Sequence, residues 1–386
     1  MDKVNKLEKK GILDSYVPKR FGKEYYEING SRQYSMFLSV ALGVKKSFDD
    51  WVQPDRLDEF RRVCRDYGLY LETDVIFDKA QLDKGTVIGG ENITTTFVVA
   101  EQFMDKTGPK SRAGKSDRYK SKSSQKLHVF VSGSKKTAIE AKKFGWYSVI
   151  INNRNINKPF VDHLRFGGCL GYPACCIDFF RRFNNWSLYN HPYEVYKNTP
   201  NLPGMAKGSY LCNNHLMDNS YFFIHHLPCS YRCENTISYA RMVEDRIMDV
   251  EPGYARKTAG FLKQPLLVFG EKNFIIFDGR LKQGEIRYTN AQYLSNAARP
   301  EESISFFEDV LKGNRITFAS GSAAISGVGS RGPAKSVDSA GSICSADTGH
   351  FGHTGTGSSG CLDIMHNNKL VSRVKKRKDW FIIDFD

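Results

Sequence analysis

Leu127-His128-Val129-Phe130-Val131-Ser132-Gly133-Ser134-Lys135-Lys136-Thr137-Ala138-Ile139-Glu140-Ala141-Lys142-Lys143-Phe144-Gly145-Trp146-Tyr147-Ser148-Val149-Ile150-Ile151 reads as a strand, a turn, a helix and a second strand. Leu127 to Val131 is apolar and β-prone, and Ser132-Gly133-Ser134 makes the turn. Lys135 to Phe144 then places Ala138, Ile139 and Ala141 on one helical face, and Gly145 is a stop signal. Trp146 to Ile151 is the second strand. This order predicts a βαβ unit, and so an α/β domain in the first part of the chain. The Gly-Ser turn at the helix start, with Lys135 and Lys136 beside it, has the chemistry to meet an anion, although an ordinary turn accounts for it as well.

Before this unit, residues 1–30 are polar and charged and predict a loosely packed arm. Residues 35–45 are apolar and fit a helix or a buried strand. Leu57, Phe60, Val63 and Cys64 share one face of a helix over 55–67, which Gly68 ends. Strands are expected at 69–77 and 93–100. Residues 105–126 are basic, Ser-rich and poor in apolar side chains, the composition of a mobile loop. Within it, Gly108 to Ser116 imitates a phosphate-binding loop. It has one residue too many between its glycines and lacks the flanking strand and helix that the mechanism needs.

After the unit, short strands are expected at 265–269, 273–278 and 285–288, with a turn over Gly279 to Gly284, and a helix at 300–312. Residues 319–361 hold 10 Gly and 10 Ser in 43 positions, too few apolar groups to build a core, and should be mobile. An apolar strand, Trp380 to Phe385, closes the chain. The expected organisation is an arm (1–30), an α/β domain (31–155) with its basic loop at 105–126, a Cys/His-rich α+β domain (156–318), a Gly/Ser segment (319–361) and a C-terminal strand region (362–386). The fold class is mixed α/β and α+β.

The net charge of +14 favours an anionic partner. Part of the excess lies in two runs, Lys106 to Lys126 and Arg373 to Lys378, and charge runs are usually solvated. No stretch approaches the ~18 apolar residues that a membrane span needs. The charged start, Met1 to Lys6, is not followed by an apolar signal segment. A cytoplasmic protein with reduced thiols is expected, so clustered cysteines point to metal or redox chemistry before disulfides.

The cysteines do cluster. Six of nine lie between Cys169 and Cys233, and five of nine histidines lie between His163 and His226. Gly167-Gly168-Cys169-Leu170-Gly171-Tyr172-Pro173-Ala174-Cys175-Cys176 predicts an extended approach to a helix that begins at the proline. Cys175 and Cys176 then fall in the first turn, where the helix dipole favours thiolates. His225-His226-Leu227-Pro228-Cys229-Ser230-Tyr231-Arg232-Cys233 repeats the design, with Cys229 and Cys233 expected one turn apart on a helix starting at Pro228. Thiolate and imidazole are soft and borderline metal donors. The expected ligands are therefore Cys169, Cys175, Cys176, Cys229 and Cys233 with His226, around zinc or an iron–sulfur cluster. A redox disulfide and plain core packing are the competing readings. Cys64 and Cys212 are read as core; Cys344 and Cys361 as free thiols in the Gly/Ser segment.

The pattern Cys-Leu-Gly-Tyr-Pro-x-Cys-Cys-x-x-Phe-Phe at 169–180, followed by His-x-Pro-Cys-Ser-x-x-Cys at 226–233, resembles an uncharacterised prokaryotic Cys/His-rich domain family of unknown function. The resemblance covers roughly 160–290, about a third of the chain. It implies a bacterial or archaeal origin and implies no activity.

The leading expectation is a metal- or cluster-dependent enzyme acting on a small anionic or amino-acid-like substrate. Asp178, Glu234 and His225 are its acid–base candidates, and Tyr172, Ser230 and Arg232 its substrate-binding candidates. The Gly/Ser segment would serve as a lid. The alternatives are a nucleic-acid-binding protein with a structural zinc site and a non-catalytic binding protein.

Overall fold

Strand β6 (Gln125–Ser132) runs through the middle of a small antiparallel sheet, between β1 (Ser47–Val52) and β2 (Tyr70–Thr73). In the computed structural model the described residues are 12–31, 33–73, 76–77, 94–95, 97–98, 125–145, 148–151, 154–157, 162–184, 190–202, 204–270, 273–295, 301–319, 361–375 and 379–386. The basic run to position 124 and the Gly/Ser stretch 320–360 lie outside them, so neither the loop expectation nor the lid expectation meets a structural observation. The expected strands of this region are present as β2, β3 (Ile76–Phe77), β4 (Thr94–Thr95) and β5 (Phe97–Val98). No helix among the described residues is long and apolar enough to cross a membrane.

The strand–helix–strand order is present as β6, the helix Lys135–Phe144 and β7 (Ser148–Ile151). The Ser134 side chain caps the helix by accepting from the Thr137 N–H, and Ala138 and Ala141 are buried. One part of the reading is corrected. Among the described residues β7 pairs antiparallel with β8 (Arg154–Asn157), not parallel with β6. The register runs from Ser148 opposite Asn157 to Ile151 opposite Arg154. The helix Leu57–Asp66 buries Leu57, Phe60, Val63 and Cys64, the face that its spacing sets out. Residues 35–45 resolve into the helix Tyr34–Ala41, buried from Tyr34 to Val40.

The described part of the N-terminal arm is packed. Its helix Lys23–Asn29 carries Tyr25, fully buried and stacked on Phe37 at 4.3 Å. Glu251 is 2% exposed and accepts from the backbone N–H groups of Arg20 (2.6 Å) and Phe21 (2.8 Å) and from the Tyr16 hydroxyl (2.7 Å). Three donors converging on one buried carboxylate hold the arm down.

The second sheet has nine strands in the order β16-β15-β14-β13-β12-β11-β17-β10-β9. They are β9 (Asn201–Leu202), β10 (Met205–Gly208), β11 (Leu266–Gly270), β12 (Asn273–Lys282), β13 (Glu285–Ser295), β14 (Arg315–Ala319), β15 (Cys361–His366), β16 (Lys369–Lys375) and β17 (Phe381–Phe385). The C-terminal strand β17 is inserted in the sheet's interior, antiparallel to β11 and parallel to β10. Its apolar run suits burial on both faces. Alternate residues of the central strands serve two cores: Leu266, Val268, Ile276 and Ile383 face the larger one, and Leu267, Ile275, Phe277 and Ile382 the smaller. The smaller core is closed by Phe306, Phe307 and Val310 of the helix Glu301–Lys312. The larger core runs from Tyr25 and Phe48 to Ile224, Val268 and Phe381, and so crosses the expected boundary near 155.

The turn expected over 279–284 is shorter than its sequence suggests. β12 continues through Gly279 to Lys282, with a bulge at Asp278/Gly279. The chain reverses at Gln283 (φ 51°) and Gly284 (φ 79°), the positive-φ pair of a tight hairpin. Gly279 is required for a different reason. A Cβ there would lie 2.1 Å from the Arg287 carbonyl oxygen.

Candidate metal centre

Four sulfurs meet between two helix starts. Pro173 is the N-cap of the helix Ala174–Arg182, so Cys175 and Cys176 occupy its first turn, as the sequence suggests. The other start differs from the expectation. Residues 228–232 form turns, Cys233 is itself the N-cap, and the helix runs Glu234–Val250. Cys229 is therefore off the helix, yet its sulfur still reaches the group. The ligand atoms of Cys175, Cys176, Cys229 and Cys233 all lie within 4.8 Å of one another. The Cys175–Cys233 and Cys176–Cys233 sulfur separations are 3.7 Å, and that of Cys175–Cys176 is 3.9 Å. A metal ion fits this donor set.

Polar donors surround the sulfurs. The Cys229 N–H approaches Cys176 Sγ at 3.4 Å, Asn235 Nδ2 lies 3.5 Å from Cys175 Sγ, and Thr236 Oγ1 lies 3.2 Å from Cys176 Sγ. Without a metal the four thiols cannot all ionise in so small a volume. The bonds it makes to Cys229 and Cys233, and then burial, push the Cys176 thiol up. Cys233 goes down, because the thiols of Cys176 and then Cys229 donate to its sulfur.

Cys169 stands apart from this group. It ends the helix His163–Cys169, packs against the cluster of Phe130, Ala141, Phe166 and Leu170, and its thiol is pushed up by burial. Cys212 is fully buried behind the centre, with its sulfur 3.8 Å from the Cys233 carbonyl oxygen. Cys64 is buried in the larger core. His226 is one bond removed from the sulfurs: its Nε2 lies 3.0 Å from the Thr236 hydroxyl that touches Cys176. Burial drives its imidazole down to about 3, so the ring is neutral, and its Nδ1 has no partner among the described residues.

The acid–base and substrate candidates scatter. Asp178 is exposed and lies 3.5 Å from Arg181. Glu234 and Arg232 are exposed. Ser230 Oγ lies 3.2 Å from Thr199 Oγ1 and accepts from the Arg232 N–H, a turn-forming role. His225 and Tyr172 do come together: the Tyr172 hydroxyl lies 3.3 Å from His225 Nδ1. Around them are residues that the linear sequence does not mark. Lys45, 3% exposed, places Nζ 4.3 Å from the Tyr172 ring centroid and donates to the Leu170 carbonyl. Burial lowers its ammonium to about 7. Asp49 accepts from His128 at 3.1 Å, and its electrostatic neighbours include His225 and Lys45. Thr236 and Asn235 were likewise missed, since a Thr or Asn at the start of a helix gives no signal of its own.

No family model matches the chain, and no curated protein or solved structure is similar to it, which accords with the resemblance of residues 160–290 to a family without an assigned activity.

Proposed function

We propose that Cys175, Cys176, Cys229 and Cys233 hold a single zinc ion and that this zinc is structural. The observation that carries the reading is the sulfur spacing. Four thiolates ~2.3 Å from a central zinc in a tetrahedron are separated by ~3.8 Å. Among Cys175, Cys176 and Cys233 the separations are 3.7, 3.7 and 3.9 Å, and with Cys229 included none exceeds 4.8 Å. An iron–sulfur cluster shares its cysteines among separate iron atoms and holds them further apart, so the spacing favours one ion. Four thiolates also fill a tetrahedral zinc and leave no position for water or substrate, which is the mark of a structural site. The metal would tie the helix start at 174–176 to the turn at 229–233. Thr236 would donate to Cys176 and accept from His226, so the imidazole belongs to the shell that orients a ligand.

Metal analysis of the purified protein tests this. About one zinc per chain in a colourless protein is expected. Iron accompanied by visible absorption would replace zinc with a cluster, and a metal-free, fully folded protein would remove the centre altogether.

The enzyme reading has one observation in its favour, the meeting of Lys45, Asp49, His128, Tyr172 and His225. A near-neutral buried lysine beside two imidazoles, a phenol and a carboxylate is a grouping that active sites use. In this reading the zinc holds the Tyr172 and His225 segments in place, and these residues bind a small anion. A thermal-shift screen of small carboxylates and phosphates, on wild type and on His225→Ala, decides it. A compound that stabilises only the wild type supports it; a screen in which nothing stabilises the wild type removes it.

A further inference from the structure

We propose that the nine-stranded sheet carries a second site, a row of three arginines that binds linked phosphate groups. Arg280 on β12 is the register partner of Arg287 on β13, and Arg287 is the register partner of Arg315 on β14. Three guanidinium side chains therefore stand side by side across three neighbouring strands. Strands are spaced ~4.8 Å apart, so the row runs ~10 Å across the sheet. Lys282, two residues beyond Arg280, shares its face. All four cations line one cavity of about 580 Å³, with Asp278 and Asn314 among its other walls.

The charge arrangement is what points to a ligand. Like charges directly opposite on paired strands destabilise a sheet. The adjacent row obeys that rule: Lys282 is the partner of Glu285, and Asp363 is the partner of Arg373 with both oxygens bonded, at 2.6 and 2.7 Å. The arginine row breaks it. One carboxylate, Glu285, serves both Arg287 and Arg315. Asp278 is engaged by the Thr289 hydroxyl at 3.1 Å. Arg280 is exposed and has no ion-pair partner among the described residues. Three arginines sharing one carboxylate leave repulsion standing in this row, and an anion relieves it. Planar guanidinium forks match phosphate oxygens two at a time.

The length of the row decides the class. Three forks over ~10 Å exceed what one phosphate can touch and suit two or more in series. The cavity's one aromatic wall, Tyr288, is buried with its hydroxyl donated to the Val310 carbonyl at 2.6 Å. Bases have no exposed ring to stack on, so the ligand is read through its phosphates. Linked phosphates come from a single nucleic-acid strand or from a free polyphosphate, and the experiment separates the two. The site uses none of the cysteines and does not depend on the zinc reading.

The test measures fluorescence anisotropy of a labelled single-stranded oligonucleotide with the full chain at about 50 mM salt, and calorimetry with inorganic tripolyphosphate. The variant is Arg280→Gln with Arg287→Gln; a second carries Lys115→Gln, Arg118→Gln, Lys120→Gln and Lys122→Gln. For the first, binding of whichever probe the wild type takes should weaken at least ~10-fold and the salt slope should shrink by about two charges. The second should bind nearly as wild type. The oligonucleotide held more tightly identifies a strand as the source, and tripolyphosphate held more tightly identifies a compact polyphosphate. Without ligand, Arg280→Gln alone should melt no lower than wild type, because it removes a repulsion. Wild-type protein that binds neither probe overturns the proposal. So does binding that survives in the arginine variant, or that disappears only when the 115–122 charges are removed.

Discussion

Cys233→Ser tests the metal centre where it is most sensitive. Cys233 is the hub, 3.7 Å from both Cys175 and Cys176. Serine is a poor zinc ligand but a good helix N-cap, so the helix Glu234–Val250 keeps its start and the change reports on the metal. The magnitude follows from linkage. A ligand that binds only the folded state, present at about 100 to 1,000 times its dissociation constant, contributes about 2.7–4.1 kcal/mol. Spread over the unfolding entropy of a 386-residue chain, that loss should lower the melting temperature by about 3–5 °C. The assay combines zinc content per chain with thermal denaturation, each with and without a chelator. Wild type in chelator should melt where the untreated variant melts, and the variant should ignore chelator. Cys169→Ser should keep its zinc, because that thiol lies outside the group. Binding also requires deprotonated sulfur, so the difference between wild type and variant should shrink as pH falls. A full zinc complement in Cys233→Ser, or a wild-type melting temperature that chelator does not move, refutes the reasoning.

Three further expectations concern the scaffold. Burial raises the Asp50 carboxyl to about 6 from an ordinary 3.8, so between these values the folded state keeps a proton that the unfolded chain releases. Stability should therefore fall by about 3 kcal/mol as pH rises from about 4 to 6, and Asp50→Asn should abolish that slope. The neutral His226 imposes an opposite slope in both proteins, so the difference between the two denaturation series is what counts; equal slopes would sink the assignment. Glu251→Gln places an amide donor among three donors and should cost about 2–4 kcal/mol, with faster proteolysis of the segment before Gly22; unchanged proteolysis would mean the arm is held elsewhere. Gly279→Ala drives a methyl into the Arg287 carbonyl and within 2.8 Å of Tyr288 Cα, a backbone clash that should cost about 1–3 kcal/mol and displace the arginine register, so anion binding should fall with stability. Anion binding that persists in that variant would detach the cavity from the strand register.

The elements themselves were largely legible. The face Leu57, Phe60, Val63 and Cys64 follows from helical spacing, and the Ser132-Gly133-Ser134 turn and the Gly145 stop bracket the next helix as read. Pairing was less legible, because a strand's sequence states its pleat and not its partner. β7 looked like the closing strand of a parallel unit, but a strand joined to the next by two residues is at once available for an antiparallel hairpin. Gly279 looked like a turn glycine for a related reason. Glycine marks both chain reversals and places where another backbone comes too close for a Cβ, and only the proximity of the Arg287 carbonyl distinguishes them.

The two candidate sites show the same limit from opposite sides. Cysteine is rare enough that its clustering along the chain already foretells clustering in space, so the 175–176 and 229–233 segments could be matched without coordinates. Cys169 was drawn in by proximity in sequence alone; its position at the far end of another helix separates it from the others. The arginine row has no such signal. Arginine is common on surfaces, and Arg280, Arg287 and Arg315 are separated by a hairpin, a strand and a helix. Their alignment exists only once β12, β13 and β14 adopt one register, and a slip of a single residue would send alternate side chains to the other face. The sequence-level charge pointed instead to the dense runs near 106–126 and 373–378. The described part of the second run shows why density misleads: Arg373 is already neutralised by Asp363. A site is made by charge that the fold leaves unpaired, and that quantity is a property of register, not of composition.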